Sequence, residues 1–214
     1  MANPWILQRI YGAMTRRLTE LAHDVIAGHV HAGDIVIDAT MGNGHDTLFL
    51  AQLVGENGHV YAFDVQQQAI DQTLARLEMH GVTKQVTLIN GNHAEMVELL
   101  PPGMAGSVAA IVFNLGYLPG GEKSITTTAG ATLHALDASL ELVRHGGIIS
   151  LLVYVGHAGG EEENRAILDW LAMLPEMFNR RQQNPECAAC LLYTSPSPRD
   201  LIAHRVCRLL LEKG

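Results

Sequence analysis

One stretch constrains the fold more than any other: Ile35-Val-Ile-Asp38-Ala-Thr-Met-Gly42-Asn43-Gly44. Three β-branched residues in a row predict a buried parallel strand, and the Gly-x-Gly after it supplies a turn whose backbone can approach a ligand with no Cβ in the way. Residues 45–54 continue as a helical pattern, so the glycines fall between a strand and a helix N-terminus, where α/β folds hold nucleotide-like ligands. About 20 residues on, Val60-Tyr-Ala-Phe-Asp64 reads as a second strand ending in an acid. That position hydrogen-bonds the ribose hydroxyls of an adenosine-type cofactor.

Two cofactor classes share this layout, and the first loop separates them. Dinucleotide-binding loops run from the strand straight into G-x-G-x-x-G, with the glycines around a pyrophosphate. Here Asp38 ends the strand, three residues precede Gly42, and Thr47 replaces the third glycine. A carboxylate suits a cationic ligand better than a pyrophosphate. The spacing resembles motif I of class I S-adenosylmethionine-dependent methyltransferases, in which this loop wraps the methionine part of the cofactor. That resemblance implies an α/β, Rossmann-like fold: a mostly parallel, doubly wound sheet closed by a C-terminal antiparallel pair of strands.

With 214 residues and 48% hydrophobic content, the chain is long enough for one α/β domain with a substantial core. No apolar run reaches the ~18 residues of a membrane span, and the N-terminus lacks a signal-peptide layout, so the expected location is the cytoplasm. The first 186 residues contain no cysteine, which excludes a disulfide framework there. A formal net charge of -8 argues against broad, sequence-indifferent binding to nucleic acid. A small basic patch can still serve one anticodon loop, and Arg9, Arg16, Arg17, Lys123, Arg180 and Arg181 are its candidates. Of the eleven histidines only His29 and His31 lie close together, at a helix end, so no metal site is expected.

In chain order, Leu18, Leu21, Ala22, Val25 and Ile26 recur at helical spacing and predict a leading helix that packs on the sheet, broken by Gly33-Asp34. Residues 67–80 predict a second such helix closed by Gly81, and 86–89 the third strand. That strand runs into Asn90-Gly-Asn92-His93, which either meets a ligand or forms an Asx turn capping the next element. Residues 107–113 predict the fourth strand, followed by Asn114-Leu-Gly-Tyr117-Leu-Pro-Gly-Gly121. Asn114 to Tyr117 resembles the Asn/Asp-Pro-Pro-Tyr motif of methyltransferases that act on exocyclic amines, with both prolines replaced. There the Asn carbonyl and a backbone carbonyl accept hydrogen bonds from the target nitrogen. A helix over 126–143 ended by Gly146-Gly147, and a strand over 148–154, complete the pattern. In the glycine-flanked loop that follows, His157 can accept a proton or bind substrate. Glu161, Glu162 and Glu163 read as the solvated start of a helix.

Asp38-Ala-Thr-Met-Gly-Asn-Gly-His-Asp46-Thr47, Phe63-Asp64-Val-Gln66, Phe113-Asn-Leu-Gly-Tyr-Leu-Pro-Gly-Gly121 and Gly156-His-Ala-Gly-Gly-Glu-Glu-Glu163 together resemble one family. It comprises small bacterial methyltransferases once labelled ribosomal RNA methylases and linked to the wobble uridine of tRNA. The resemblance covers about residues 15–185. It implies methylation of 5-aminomethyl-2-thiouridine to 5-methylaminomethyl-2-thiouridine in the tRNA anticodon loop, with S-adenosylmethionine as donor. Carried over by motif, Asn43, His45, Asp64, Gln66, Asn92 and His93 join Asp38, Gly42 and Gly44 at the cofactor, while Asn114, Tyr117 and His157 are the catalytic candidates. Ribosomal RNA, a small-molecule amine, or a non-catalytic nucleotide- or RNA-binding module are the alternatives. A homodimer is left open.

The tail departs from this pattern. Residues 178–182 are the candidate first strand of the closing pair, yet Cys190-Leu-Leu-Tyr-Thr-Ser-Pro-Ser-Pro-Arg-Asp200 reads as the translation of a transposon-based sequencing adapter. Val206-Cys-Arg-Leu-Leu-Leu-Glu-Lys-Gly214 reads as the flow-cell end of such a sequence. The expected division is therefore a methyltransferase domain over 1–189 and a non-native tail over 190–214. Cys190 and Cys207 lie in this tail and Cys187 three residues before it, so Cys187-x-x-Cys190 is not expected to be a redox or zinc motif. Whether residues 205–212 can still pair as a strand is left open.

Overall fold

The computed structural model describes residues 18–116, 118, 120 and 126–181, and the strands Cys190–Thr194 and Cys207–Leu210. Helix α1 (Leu18–Ala27) leads into strand β1 (Ile35–Asp38), helix α2 (His45–Val54), strand β2 (His59–Asp64), helix α3 (Gln67–His80) and strand β3 (Val86–Asn90). A single helical turn at Met96–Leu99 precedes strand β4 (Val108–Leu115). Helix α4 (Ala129–Leu142), strand β5 (Val143–Val153), helix α5 (Gly160–Arg181) and strands β6 (Cys190–Thr194) and β7 (Cys207–Leu210) follow. The sheet order is β3-β2-β1-β4-β5-β6-β7, parallel up to β6, with β7 antiparallel.

The order reverses at β1, which lies between β2 and β4. A doubly wound sheet opens a crevice at the carboxyl ends of its strands at such a switch point. Both faces are covered, hence the near-continuous apolar runs of β1 and β4. One core layer gathers Ile37, Phe63, Ile111, Phe113, Leu136, Leu151 and Trp170, and the other Ile26, Val36, Leu50, Val60, Ala110 and Ile148.

Three boundaries differ from the sequence reading. Helix α4 ends at Leu142 and β5 starts at once, so Gly146-Gly147 lies inside a strand. Gly146 takes φ 74, and a Cβ on Gly147 would lie 2.9 Å from the Ala109 carbonyl oxygen, so this pair lets β5 run close against β4 through a register shift. The candidate strand over 178–182 is instead helical to Arg181 in α5. Its neighbours continue the helix without a break, and local β propensity yields to that. Strand β4 runs two residues further than expected, which puts Asn114 in the strand rather than in the turn. At the tail, Cys207–Leu210 pairs antiparallel with Cys190–Thr194. Residues 5–11, with Arg9, Arg16, Arg17 and Lys123, lie outside the described residues. No helix among the described residues is long and apolar enough to cross a membrane.

At the amino end of the sheet, Arg144 clamps the α1–β1 connection. Its Nη1 donates to Asp34 Oδ1 at 2.5 Å, and its Nη2 to Asp34 Oδ2 at 2.8 Å and to the His29 carbonyl at 3.2 Å. Burial alone would raise the Asp34 carboxyl, but Arg144 and the His31 amide outweigh it and hold it below the usual carboxylate range. A depressed carboxyl stabilises the fold above its unfolded value, and that contribution is lost as pH falls through the folded one. Arg144→Met is therefore expected to lower unfolding stability by about 2 kcal/mol at neutral pH. The difference from the parent should shrink in acid, as measured by urea denaturation across pH.

Candidate active site

A cavity of about 1000 Å³ opens at the carboxyl edge of the sheet, over β1, β2 and β4. Its wall includes Gly42, Asn43, His45, Asp64, Gln66, Asn92, His93, Asn114 and His157, so most of the residues singled out by sequence converge there. Two do not reach it. Asp38 is fully buried beneath the loop, and Gly44 caps α2 from behind. Tyr117 lies outside the described residues.

The loop between β1 and α2 is held from both sides by carboxylates. Below it, Asp38 Oδ1 accepts from the Thr40 amide at 3.2 Å and Oδ2 from the Thr47 hydroxyl at 2.7 Å. Across it, Asp64 Oδ2 accepts from the Gly42 amide at 3.0 Å, and Oδ1 from the Gln66 amide at 2.9 Å. With the Val65 amide as a third donor, about one acceptor direction on the Asp64 oxygens remains for a ligand. Gly44 has φ 74, and a Cβ there would lie 2.6 Å from Thr73 Oγ1, so the position is closed to other residues twice over. On the outer side, Arg76 Nε donates to the Asn43 carbonyl at 2.8 Å and Nη2 to His45 Nε2 at 3.2 Å.

Burial and the neighbouring Asp46 push the Asp38 carboxyl up to about 7, against the opposing pull of its bonds from Thr47 and Thr40, with Asp64 adding further repulsion. Burial also raises Asp64, opposed by its bonds from the Gln66, Gly42 and Val65 amides. Burial lowers His93, whose Nδ1 faces the Ala39 carbonyl at 3.2 Å. A carbonyl only accepts, so Nδ1 carries the proton and Nε2 is an acceptor, without a partner among the described residues. Asn92 settles the two readings of its turn together: its Oδ1 accepts from the Ala94 amide at 3.0 Å, capping the short turn at His93–Glu95, while the residue still lines the cavity.

On the β4 side, the Asn114 amide donates to Thr40 Oγ1 at 2.7 Å, and its side-chain Nδ2 donates to Asp46 Oδ2. Asn114 Oδ1 has no partner among the described residues. The carbonyls that follow are engaged, Leu115 accepting from the Tyr154 amide at 2.9 Å and Gly116 from the Thr127 amide at 3.0 Å. The His157 ring fits between Gly116 and Gly160, where a Cβ would lie 3.8 Å and 3.1 Å from its Nε2, and its Nδ1 bonds the Ala158 carbonyl at 3.0 Å.

Several wall residues escape the sequence reading. Thr19, Glu20 and His23 come from α1, which is therefore more than a packing helix, and Tyr154 comes from the end of β5. Glu163 is not a solvated helix start: it is fully buried, its two oxygens accepting from Thr127 Oγ1 at 2.7 Å and Thr132 Oγ1 at 2.6 Å. It thereby anchors the Thr126-Thr127-Thr128 edge of the cavity to α5. Its only sequence signal is the i, i+4 spacing from Gly159, too weak to separate it from Glu161 and Glu162. Among the described residues, no three His, Cys, Asp or Glu side chains come together as a metal site.

The switch-point crevice, the acid-ended β2 and the glycine turn after β1 define the Rossmann-like fold of class I methyltransferases. Residues 60–188 match the family described as "Putative rRNA methylase", and the chain belongs to that family. The tRNA (mnm(5)s(2)U34)-methyltransferase, chloroplastic, of Arabidopsis thaliana is 41% identical over 182 residues, covering 77% of this chain and 66% of the relative. The chain thus spans just under two thirds of that relative's length. Among solved structures, a "putative rRNA-methylase" from Clostridium thermocellum superimposes with TM-score 0.69 at 43% identity, covering 73% of this chain and 82% of its own. A "putative methyltransferase" from Streptococcus mutans in complex with SAH does so with TM-score 0.65 at 38% identity, covering 74% and 83%.

The buried Asp38 carries a consequence for pH. Its folded value lies above its unfolded one, so the stability it contributes is complete below about 4 and is lost as pH rises through about 7. Asp38→Asn, which keeps an acceptor for Thr47, is expected to flatten the fall in melting temperature of the parent protein between pH 4 and 8. An unchanged pH profile in scanning calorimetry would contradict the assignment.

Proposed function

We propose that this chain is an S-adenosylmethionine-dependent N-methyltransferase acting in the cytoplasm on the tRNA anticodon loop. It would convert 5-aminomethyl-2-thiouridine to 5-methylaminomethyl-2-thiouridine at the wobble position. The observation that carries this reading is Asn114 Oδ1, a buried acceptor without a partner among the described residues, belonging to a residue on the wall of the same cavity as Asp64. Support comes from the 41% identity to the plant tRNA methyltransferase and from the SAH complex of the Streptococcus mutans relative.

The residues present fit the cofactor. Asp64 retains an acceptor direction for a ribose hydroxyl, His93 Nε2 and the Asn92 amide offer an acceptor and a donor for an adenine edge, and the backbone at Gly42 and Asn43 offers a cradle with no Cβ at Gly42. Asp46 and Asp64 give the cavity wall an acidic lining, which favours a cationic ligand. When bound, S-adenosylmethionine would supply the methyl: the N–C bond forms as the C–S bond breaks, sulfur keeps the electron pair, and the methylated nitrogen releases one proton to solvent. The protein's own part is positioning. Asn114 accepts an N–H of the amine and so points the nitrogen lone pair away from itself, into the cavity. Tyr154 and His157 offer rings on the cavity wall, and RNA enzymes hold unstacked bases on such rings; by its place in the sequence after Asn114, Tyr117 is proposed for the same role.

Calorimetry with S-adenosylhomocysteine tests the cofactor site: binding is expected, and Asp64→Ala should weaken it at least ~10-fold, or about 1.4 kcal/mol. Incubation with labelled donor and tRNA lacking this last methylation, followed by nucleoside mass spectrometry, tests the substrate. Asn114→Ala should cut the transfer rate ~100-fold or more with cofactor affinity nearly intact, because its acceptor matters when the amine is aligned. Label on ribosomal RNA or a small amine, with 5-aminomethyl-2-thiouridine untouched, would reject the tRNA substrate alone.

We further propose that residues 190–214 are adapter-derived, leaving a native part of net charge -10 over 1–189. The match to the family ends at residue 188, two residues before the adapter-like string begins, which supports this division. The source locus, read past Ala189 with independent long reads, is expected to continue with different codons. Recovery of the same codons would overturn the division.

A further inference from the structure

We infer that Asp46, braced by His23, is a positioning residue that sets the side-chain amide of Asn114 so that its carbonyl oxygen is the end offered to the target amine. This rests on the amine-methylating role proposed above. A side-chain amide has a donor end and an acceptor end of nearly the same shape, and only its neighbours decide which end points where. At Asn114 the decision is made by one group. Asp46 Oδ2 accepts from Nδ2, and an ionised carboxylate can only accept, so it cannot tolerate the carbonyl end. Turning the amide over would set Oδ1 against Oδ2, two acceptors with no proton between them.

Asp46 is itself held. Its Oδ1 accepts from His23 Nε2 at 2.6 Å, and the His23 ring stacks flat on Phe49, with centroids 3.8 Å apart and planes within 4°. Phe49 lies one turn after His45 in α2, and His23 lies on α1, so two helices fix the carboxylate. The side chain of Asp46 is 12% exposed and that of His23 26%, so the pair is little diluted by solvent. Asn114 is fixed from its backbone side too, through the bond from its amide to Thr40 Oγ1 at 2.7 Å. The result is a chain in which His23 Nε2 and Asn114 Nδ2 each donate to one Asp46 oxygen, and the acceptor left over is Asn114 Oδ1, buried and without a partner among the described residues. A polar atom buried in that state is costly, and the cost is offset when a ligand N–H arrives.

The charge of Asp46, rather than its size, does the orienting, which gives the test its form. Asp46→Asn keeps the volume but offers both a donor and an acceptor, so either end of Asn114 can face it. The double variant Asp46→Asn with Asn114→Asp exchanges the partners: the new amide donates to the new carboxylate, whose second oxygen again faces the amine as an acceptor. His23→Ala leaves the charge but removes its brace.

Three readouts separate this role from a structural one. In the protein without ligands, the two Asn114 side-chain amide protons should be widely separated by NMR, with one shifted downfield by its charged partner. In Asp46→Asn they should move toward each other. In steady-state transfer with the tRNA substrate, Asp46→Asn should lower kcat at least ~10-fold while KM and S-adenosylhomocysteine affinity change less than ~3-fold. The exchanged pair should recover at least a third of the lost logarithm of kcat. His23→Ala should lower kcat ~3-fold or more with the same split.

The inference is overturned if the Asn114 amide signals are unchanged in Asp46→Asn, if kcat falls only in step with cofactor affinity, which would make Asp46 a cofactor ligand, or if the exchanged pair is no better than Asp46→Asn. If Asp46→Asn fails to fold by circular dichroism, His23→Ala and the parent NMR spectrum decide, and unshifted parent signals with unaltered His23→Ala kinetics reject it. Absence of transfer by the parent protein on any amine would instead reject the proposed function, and the NMR result would still stand or fall by itself.

Discussion

The buried carboxylate of Asp38 is the constraint on which the rest of the site depends. It joins the end of β1 to the first turn of α2, taking the Thr40 amide with one oxygen and the Thr47 hydroxyl with the other, and so fixes both ends of the intervening loop. Buried negative charge is costly, and the fold answers with hydrogen bonds and partial protonation rather than a cation. Because Thr40 also receives the Asn114 amide, the same residue that is tied down by Asp38 sets the end of β4. The cofactor side and the substrate side of the cavity are thus built on one anchor, and an error of an ångström there would be felt at both.

Much of this was legible in the sequence where the determinants are local. The β-branched run, the two glycines and the acid at Asp64 are strand, turn and strand-end signals, and each does what its local chemistry dictates. Helix α3 begins at Gln67 and closes with Gly81 in the left-handed region because glycine is at ease there. The errors lie where a distant partner decides. A glycine pair reads as a helix stop, yet at Gly146-Gly147 it serves close contact of β5 with Ala109, one strand away. Three acids in a row look equivalent, and only the threonines of another segment single out Glu163.

The candidate site shows the same divide. Gly42, Asp64, Asn92, Asn114 and His157 were picked out from their positions after strands, and His45, Gln66 and His93 from the family resemblance, and they line one cavity. Asp38 was read as a ligand contact and proves to be the loop's foundation, since an acid at a strand end looks alike in either role. Asp46 and His23 were passed over because their significance lies in pairing: 68 residues separate Asp46 from Asn114, and 23 separate it from His23. No periodicity carries that information.

The place of α1 in the cavity wall has a consequence for how the protein is made. Helix α1, which carries Thr19, Glu20 and His23, leaves the ribosome before any described strand of the sheet, yet His23 rests on Phe49 and Asp46 and the helix packs against the far strand β5. Helix α1 is synthesised before the segments it docks on and must therefore wait, which makes its docking a late event in assembly. A chain caught before that event would own a complete glycine turn and a complete Asp64, but its cavity would lack one side.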